Sequence, residues 1–469
     1  MRSQMWYEIL CLVTLLVVPL SDVWAKPTSG AGIVTTQIGA PNGPVKDNAF
    51  SVAIQADGKL VAAGASFNGK DSDFAILRYY ADGALDTTFG DEGVAVFDSK
   101  MGDDKAYAVL IQSDGKILAA GSASSGRHSV FAVLRFLPDG TLDPNFARDG
   151  VAVVDFGKGD AAAYALAFEP NGKIVVGGYA SNGSDLDFAV LRLEKNGLPD
   201  FTFGENGKVT TGFADDGNRA GDEHGYSLLV QSNGKIVLSG YSEVEGKSAF
   251  VSIRYLQSGN LDNGFGVGGM VATQIGEDDR AYASALQPDG KILVAGTSIT
   301  WGTGKFAVVR YLPNGMLDPN FGENGRITTG LGGNLDTVYG LLLQNDGRII
   351  AGGTSAHGSG MDIGVVRYLA DGTVDKNFAK RGISTHQFAG SYSAAYSLSL
   401  SDDGKIVAAG VSGTGNAYHV ALAKYRSDGA VDRTFGADGN YRQIARSSRR
   451  TPITAEIGLP PVLFRTFGP

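Results

Sequence analysis

The chain has 469 residues, a formal charge of −9 and 43% hydrophobic residues. An acidic balance without a basic patch argues against nucleic acid as a partner. One cysteine in the whole chain excludes a disulfide scaffold.

Residues 1–25 read as a secretory signal peptide. Arg2 gives a weak basic start, residues 9–20 form an apolar core, and Val23 and Ala25 precede a cut at Lys26. The apolar run is too short to span a bilayer, and no second one follows, so no membrane span is expected after signal removal. Cys11 lies inside this segment. The expected location is therefore secreted, periplasmic or at the cell surface. Residues 26–31 read as a flexible lead.

From residue 49 onward one sentence is written seven times. Its centre is Asp-Gly or Asn-Gly followed by Lys or Arg, with the glycine at Gly58, Gly115, Gly172, Gly234, Gly290, Gly347 and Gly404. The spacings are 57, 57, 62, 56, 57 and 57 residues. Such regularity marks a repeat architecture. Each copy has an apolar run, the Asp-Gly turn, a second apolar run, a variable polar loop, a third run, a second turn and a fourth run. Two apolar runs around Asp-Gly predict a hairpin, because both turn residues must tolerate positive φ. Four strands per copy and no helical period predict an all-β protein, a seven-bladed β-propeller of four-stranded antiparallel blades. Copies are expected to start near residues 49, 106, 163, 225, 281, 338 and 395, within a propeller spanning 32–446. A linear β-solenoid is the weaker alternative.

Residues 32–39 (GIVTTQIG) resemble residues 269–276 (GMVATQIG), the fourth strand of copy four. The last copy has only a poor fourth strand at 440–445. The first strand is therefore expected to complete the last blade and close the ring, removing two exposed edges. Residues 447–469 lack the pattern and read as an extended tail.

The third strand ends in a basic residue in every copy, and an acid follows eight residues later. The pairs are Arg78 with Asp86, Arg135 with Asp143, Arg192 with Asp200, Arg254 with Asp262, Arg310 with Asp318, Arg367 with Asp375, and Lys424 with Asp432. A residue present in every blade does not define one active site, so these are structural pairs, with the cation bonded to the acid or to nearby carbonyls.

Another acid recurs just before the innermost strand: Asp47, Asp104, Glu223, Asp279 and Asp336, interrupted by Ala161 and Ser393. These residues either cap turns or form an acidic, calcium-attracting rim at the channel mouth, on the face carrying the long link 212–224. His224 lies beside this position. A Gly-x-Ser recurs in five copies at the expected end of the second strand and lacks the strand-to-helix context of a nucleophile elbow. The near phosphate loop at Gly64–Lys70 lacks its Ser or Thr and its helix. No catalytic set emerges. The loops between second and third strands vary, and variable loops on a rigid scaffold are where binding resides. Trp301, Tyr179, Tyr241 and Tyr418 lie at or near them and are candidate stacking platforms for a carbohydrate. Their alternative role is packing between blades.

The repeated apolar-Gln-x-Asp-Gly-Lys-Ile, Phe-Ala-Val-Leu-Arg-Tyr and Asp-Gly-x-Leu-Asp-x-x-Phe-Gly segments resemble the bacterial delta-sixty repeat family, akin in style to NHL propellers. The resemblance implies an exported β-propeller and carries no catalytic residues with it. The expected function is a non-catalytic binding scaffold, expected to be monomeric, for a protein or glycan. The rivals are a carbohydrate-binding propeller and a hydrolase or lyase at the channel mouth.

Overall fold

A computed structural model of the chain describes residues 32–39, 45–213, 221–244, 246–358, 360–387, 392–415, 417–436 and 442–443. The expected signal segment, lead and tail lie outside the described residues, as do positions 214–220 of the long link. Every named element among the described residues is a strand. No helix among them is long and apolar enough to cross a membrane.

The first blade consists of Asn48–Ile54, Leu60–Phe67, Ser72–Tyr79 and Val94–Phe97, hydrogen-bonded antiparallel in that order. The pattern repeats around a ring. The seventh blade contributes Tyr392–Leu400, Ile406–Thr414 and Ala417–Tyr425 from its own copy. Its fourth strand is Ile33–Gln37, antiparallel to Ala417–Tyr425 with Ile33 opposite Ala423 and Thr36 opposite Val420. The N-terminal strand thus closes the propeller. Arg442–Gln443 adds in parallel outside it, so the weak strand of the last copy is displaced outward rather than lost.

Each blade is apolar on both faces, so the core lies between blades. Val61, Phe74 and Ile76 of the first blade pack with Val109, Ile117 and Leu134 of the second. The closing seam is filled in the same way, by Val34, Ile38, Val420 and Leu422 against Val52, Leu60 and Leu77. Three seams also carry a parallel backbone bridge: Gly304 with Leu335, Met361 with Tyr392, and Lys46 with Tyr418.

The strand order sends both Asp-Gly turns of every copy to one face, here called the turn face. The hairpins joining second to third strands and the links between blades occupy the other, the hairpin face. The first turn forms because Gly58 takes φ +83° and the Asp57 carboxylate accepts the Lys59 N–H at 3.1 Å. Equivalent turns recur in each copy.

On the turn face the recurrent cation joins neighbouring blades. Arg135 Nε donates to Asp143 Oδ2 at 2.9 Å, while its Nη1 donates to the carbonyl of Lys195 in the next blade at 2.7 Å. The guanidinium lies over Phe146, 4.5 Å from the ring centroid. The same three contacts recur for Arg78, Arg192, Arg254, Arg310 and Arg367. At the closing seam Lys424 Nζ reaches the carbonyl of Ala81 at 2.9 Å. A lysine brings one point charge where arginine brings a planar fork.

Candidate functional site

The recurring acids do not converge on the channel. Asp47, Asp104, Asp279 and Asp336 are fully buried and Glu223 is 2% exposed. Asp104 accepts the N–H of Ser99 at 2.6 Å and of Ser124 at 2.9 Å. Asp47 accepts the N–H of Ile38 at 2.7 Å, Asp279 that of Ile275 at 2.6 Å, and Asp336 that of Leu331 at 2.6 Å. Glu223 accepts the Ser242 hydroxyl at 2.7 Å. Each carboxylate caps the link that enters its blade. The physical reason is that this link runs over the top of the blade, where its backbone N–H groups need an acceptor. Burial pushes the carboxyls of Asp104 and Glu223 up to about 7, against hydrogen bonds that pull them down. Desolvation is the main cause, whereas neighbouring acids contribute less. Among the described residues no group of three or more His, Cys, Asp and Glu side chains is placed to hold a metal ion. The acidic, calcium-attracting rim at the channel mouth is therefore replaced by a ring of buried caps.

What faces the channel is a collar of aromatics: Phe50, Tyr107, Tyr164, Tyr226, Tyr282, Tyr339 and Tyr396. Consecutive ring centroids lie 4.4 to 5.8 Å apart around the whole circle, Tyr396 closing on Phe50. Each of these residues is the extra residue of a β-bulge in the innermost strand. The register skips from Ala106 to Ala108 across Tyr107, and likewise in the other six blades. A bulge re-aims one side chain out of the pleat, here toward the axis.

The bulge explains the recurrent glycine of the second strand. It sits within the strand, opposite the bulge, not at the strand end. A Cβ on Gly121 would stand 1.8 Å from the carbonyl oxygen of Lys105, and one on Gly240 would stand 1.8 Å from that of His224. Only glycine allows this approach. The collar also has a signal in the sequence: an aromatic residue stands eight positions before the turn glycine in all seven copies.

The collar surrounds a cavity of about 810 Å³. Its aromatics are half-buried. Burial raises the pKa of the Tyr164, Tyr226, Tyr282, Tyr339 and Tyr396 hydroxyls, which therefore remain protonated donors. Three serines at the next position tie blades together along the channel wall. Ser51 accepts the Val109 N–H at 3.2 Å, Ser227 that of Ser284 at 2.9 Å, and Ser397 that of Val52 at 3.3 Å.

The expected stacking platforms divide. Tyr179 and Tyr241 extend the collar: Tyr179 lies 5.9 Å from Tyr164, and Tyr241 stacks 5.8 Å from Tyr226. His224 stands between them, 5.2 Å from Tyr179 and 4.9 Å from Tyr241, and burial lowers its pKa. Tyr418 packs edge-on to Tyr392 at 5.3 Å. Trp301 stands apart from the collar, 88% exposed at the tip of its hairpin, with φ +49°.

No match to the sequence is found among curated proteins. Solved structures similar to the chain include the polysaccharide lyase Uly1, with TM-score 0.44, 11% identity, and coverage of 83% of this chain and 90% of that one. Chaetomium thermophilum Sqt1 gives TM-score 0.45, 13% identity, and 86% and 98% coverage. Drosophila Semaphorin 2a gives 0.46, 7% identity, and 84% and 76% coverage. Their names span unlike roles, and none is transferred to this chain. A family profile described as a domain of unknown function (DUF5122) beta-propeller matches residues 55–89, 112–146, 169–203, 231–265, 287–321, 344–378 and 402–435, and with seven matched repeats in seven blades the chain belongs to that β-propeller family.

Proposed function

We propose that the chain is an exported, non-catalytic binding propeller that takes its ligand in the collared channel, from the hairpin face. The carrying observation is the partial exposure of the collar. The tyrosines that end the third strands are sealed between blades. Tyr79, Tyr255, Tyr311 and Tyr368 are at most 1% exposed, and each hydroxyl is bonded to a threonine of the preceding blade. The collar instead presents aromatic surface and protonated hydroxyls to a cavity in the size range of small-ligand sites, roughly 300–1,000 Å³. Export rests on the composition of residues 1–25.

The enzymatic alternative would place His224 as a base. His224 has aromatic rings around it, and among the described residues no serine, threonine or cysteine is hydrogen-bonded to it, whereas Ser384 Oγ lies 3.2 Å from His386 Nδ1 in another part of the ring. His357 Nε2 faces both Ser355, at 3.2 Å, and Asp362, at 3.6 Å, so one nitrogen would have to serve both partners of a relay.

The test is a ligand-observed NMR screen with mixed aromatic and saccharide fragments on the mature chain and on a Tyr226→Leu/Tyr282→Leu variant of unchanged fold. Hits lost in the variant support the channel site. Hits that persist unchanged in the variant overturn it.

A further inference from the structure

The cavity has a charge character opposite to that of the chain. The protein carries a formal charge of −9, yet among the described residues no aspartate or glutamate lines the cavity. Two lysines do, Lys46 and Lys105, together with Asn48 and Ser72. All four belong to the first two blades, so the cationic groups sit on one side of the mouth rather than around it.

Resting on the channel reading above, we infer that the ligand is an acidic saccharide, its carboxylate held at the Lys46–Lys105 side and its sugar rings held by the aromatic collar. Lys46 is exposed, and its ammonium lies 5.5 Å from the Phe67 ring centroid. None of the ion pairs among the described residues involves it, and residues 40–44 contain no acid. Lys105 Nζ lies 3.3 Å from Asp103 Oδ2 on an accessible pair, a contact that an incoming carboxylate can share. The recurring acids beside these lysines, Asp47 and Asp104, are turned into the blades as caps, whereas Asp103 stays exposed. Asp104 beside Lys105 gives both its oxygens to backbone N–H groups. Asp103, which also accepts the Ser72 N–H at 2.9 Å, offsets Lys105 in part, so the uncompensated positive charge at this mouth is that of Lys46.

The saccharide half of the inference follows from the collar. Aromatic rings offer flat apolar surface, and tyrosine adds a polar edge. Sugars share that division, with an apolar C–H face and a hydroxyl rim. Channel-wall hydroxyls of Ser51, Ser227, Ser284 and Ser397 add polar groups beside the aromatic surface. A few placed polar groups amid apolar surface is the usual composition of a small-ligand site.

The experiment is isothermal titration of the mature chain with tetragalacturonate and with neutral cellotetraose, repeated for Lys46→Gln/Lys105→Gln. Both lysines are accessible, so the variant is expected to fold as the parent does. The expected result is binding of tetragalacturonate that weakens with added salt. Cellotetraose should bind at least about tenfold more weakly, and the lysine variant should bring the acidic probe down to the neutral one. Equal binding of the two probes, or no effect of the lysine substitutions, overturns the charge assignment. If the Tyr226→Leu/Tyr282→Leu variant still loses binding in that case, the channel site itself stands. No binding of either probe at millimolar concentration overturns the saccharide assignment, and the fragment screen then decides the channel site separately.

Discussion

The propeller holds two rings of buried acids, one per face, built on opposite principles. On the turn face each aspartate meets a cation. Asp200 takes Arg192 at 2.6 Å and Lys173 at 2.8 Å, and Asp143 takes Arg135 and Lys116. Burial alone would raise these carboxyls. Hydrogen bonds from Thr88 and Lys59 to Asp86 and from Lys173 and Thr202 to Asp200 overcome it, as do the backbone N–H groups of Asn145 and Asn320 with the Arg135 and Arg310 charges at Asp143 and Asp318, and all four are held below the ordinary range. On the hairpin face the caps of Asp104 and Glu223 meet backbone N–H groups and hydroxyls, and burial wins. The first ring locks blade to blade through a charge that must stay ionised. The second ties down links with a charge the fold does not require. The rigid, repetitive face is thus the one with paired charges, whereas the face with variable hairpins carries caps that tolerate neutralisation.

The seam where both rings close gives the largest expected effect. The N-terminal strand accepts the Lys424 N–H through Gly32 and donates from Ile38 to Asp47, touching both systems. Removing residues 26–40 strips Ile33, Val34 and Ile38, each at most 6% exposed, at roughly 1.5–3 kcal/mol apiece. A loss on the order of 5 kcal/mol and concentration-dependent aggregation through the bared edge of Ala417–Tyr425 are expected in thermal unfolding and light scattering. A truncated chain as stable as the parent would show that closure does not depend on this strand.

Arg310→Met should come next. It leaves Asp318, 1% exposed, without its guanidinium and the Ala370 carbonyl without its donor. A destabilisation of about 3–5 kcal/mol is expected from denaturant titration. Ligand binding by the folded fraction should be unchanged.

The pH dependence separates the two rings further. Carboxyls held low contribute stability above their unfolded pKa and lose it as pH falls through the folded value. Those held high contribute stability fully present below the unfolded pKa, about 4, and lost as pH rises through about 7. Melting temperature should therefore peak in mild acid and decline toward pH 8. Asp104→Asn combined with Glu223→Gln should flatten that decline. An unchanged slope would mean that the caps do not set it.

The smallest effect is expected at the hairpin tip. Trp301 and Gly302 form a two-residue turn with φ +49° and +73°. A bulky residue is disfavoured there, and Asn is favoured. Trp301→Asn should stabilise the chain by about 1 kcal/mol. A destabilised variant would show that the exposed indole contributes to the fold rather than being tolerated by it.

Spacing alone determined much of this protein. The period of the Asp-Gly turns sets the number of blades, since each turn must reverse a strand. The likeness of residues 32–39 to 269–276 marks the strand that closes the ring, because equal patterns pack in equal places. The Arg and Asp eight residues apart carry their pairing in their spacing. The collar was equally periodic, at eight residues before each turn glycine, but its meaning was hidden. In a regular strand Tyr107 would lie in the pleat against a neighbouring blade, and only the bulge, permitted by Gly121 across the ladder, turns it to the axis. The recurring acids show the converse. Their registry is equally strict, yet whether a carboxylate points to the channel or back to its own link depends on which N–H groups lie within reach. That is decided when the link folds over the blade, by hydrogen bonds between residues whose neighbourhood does not exist until the ring has closed.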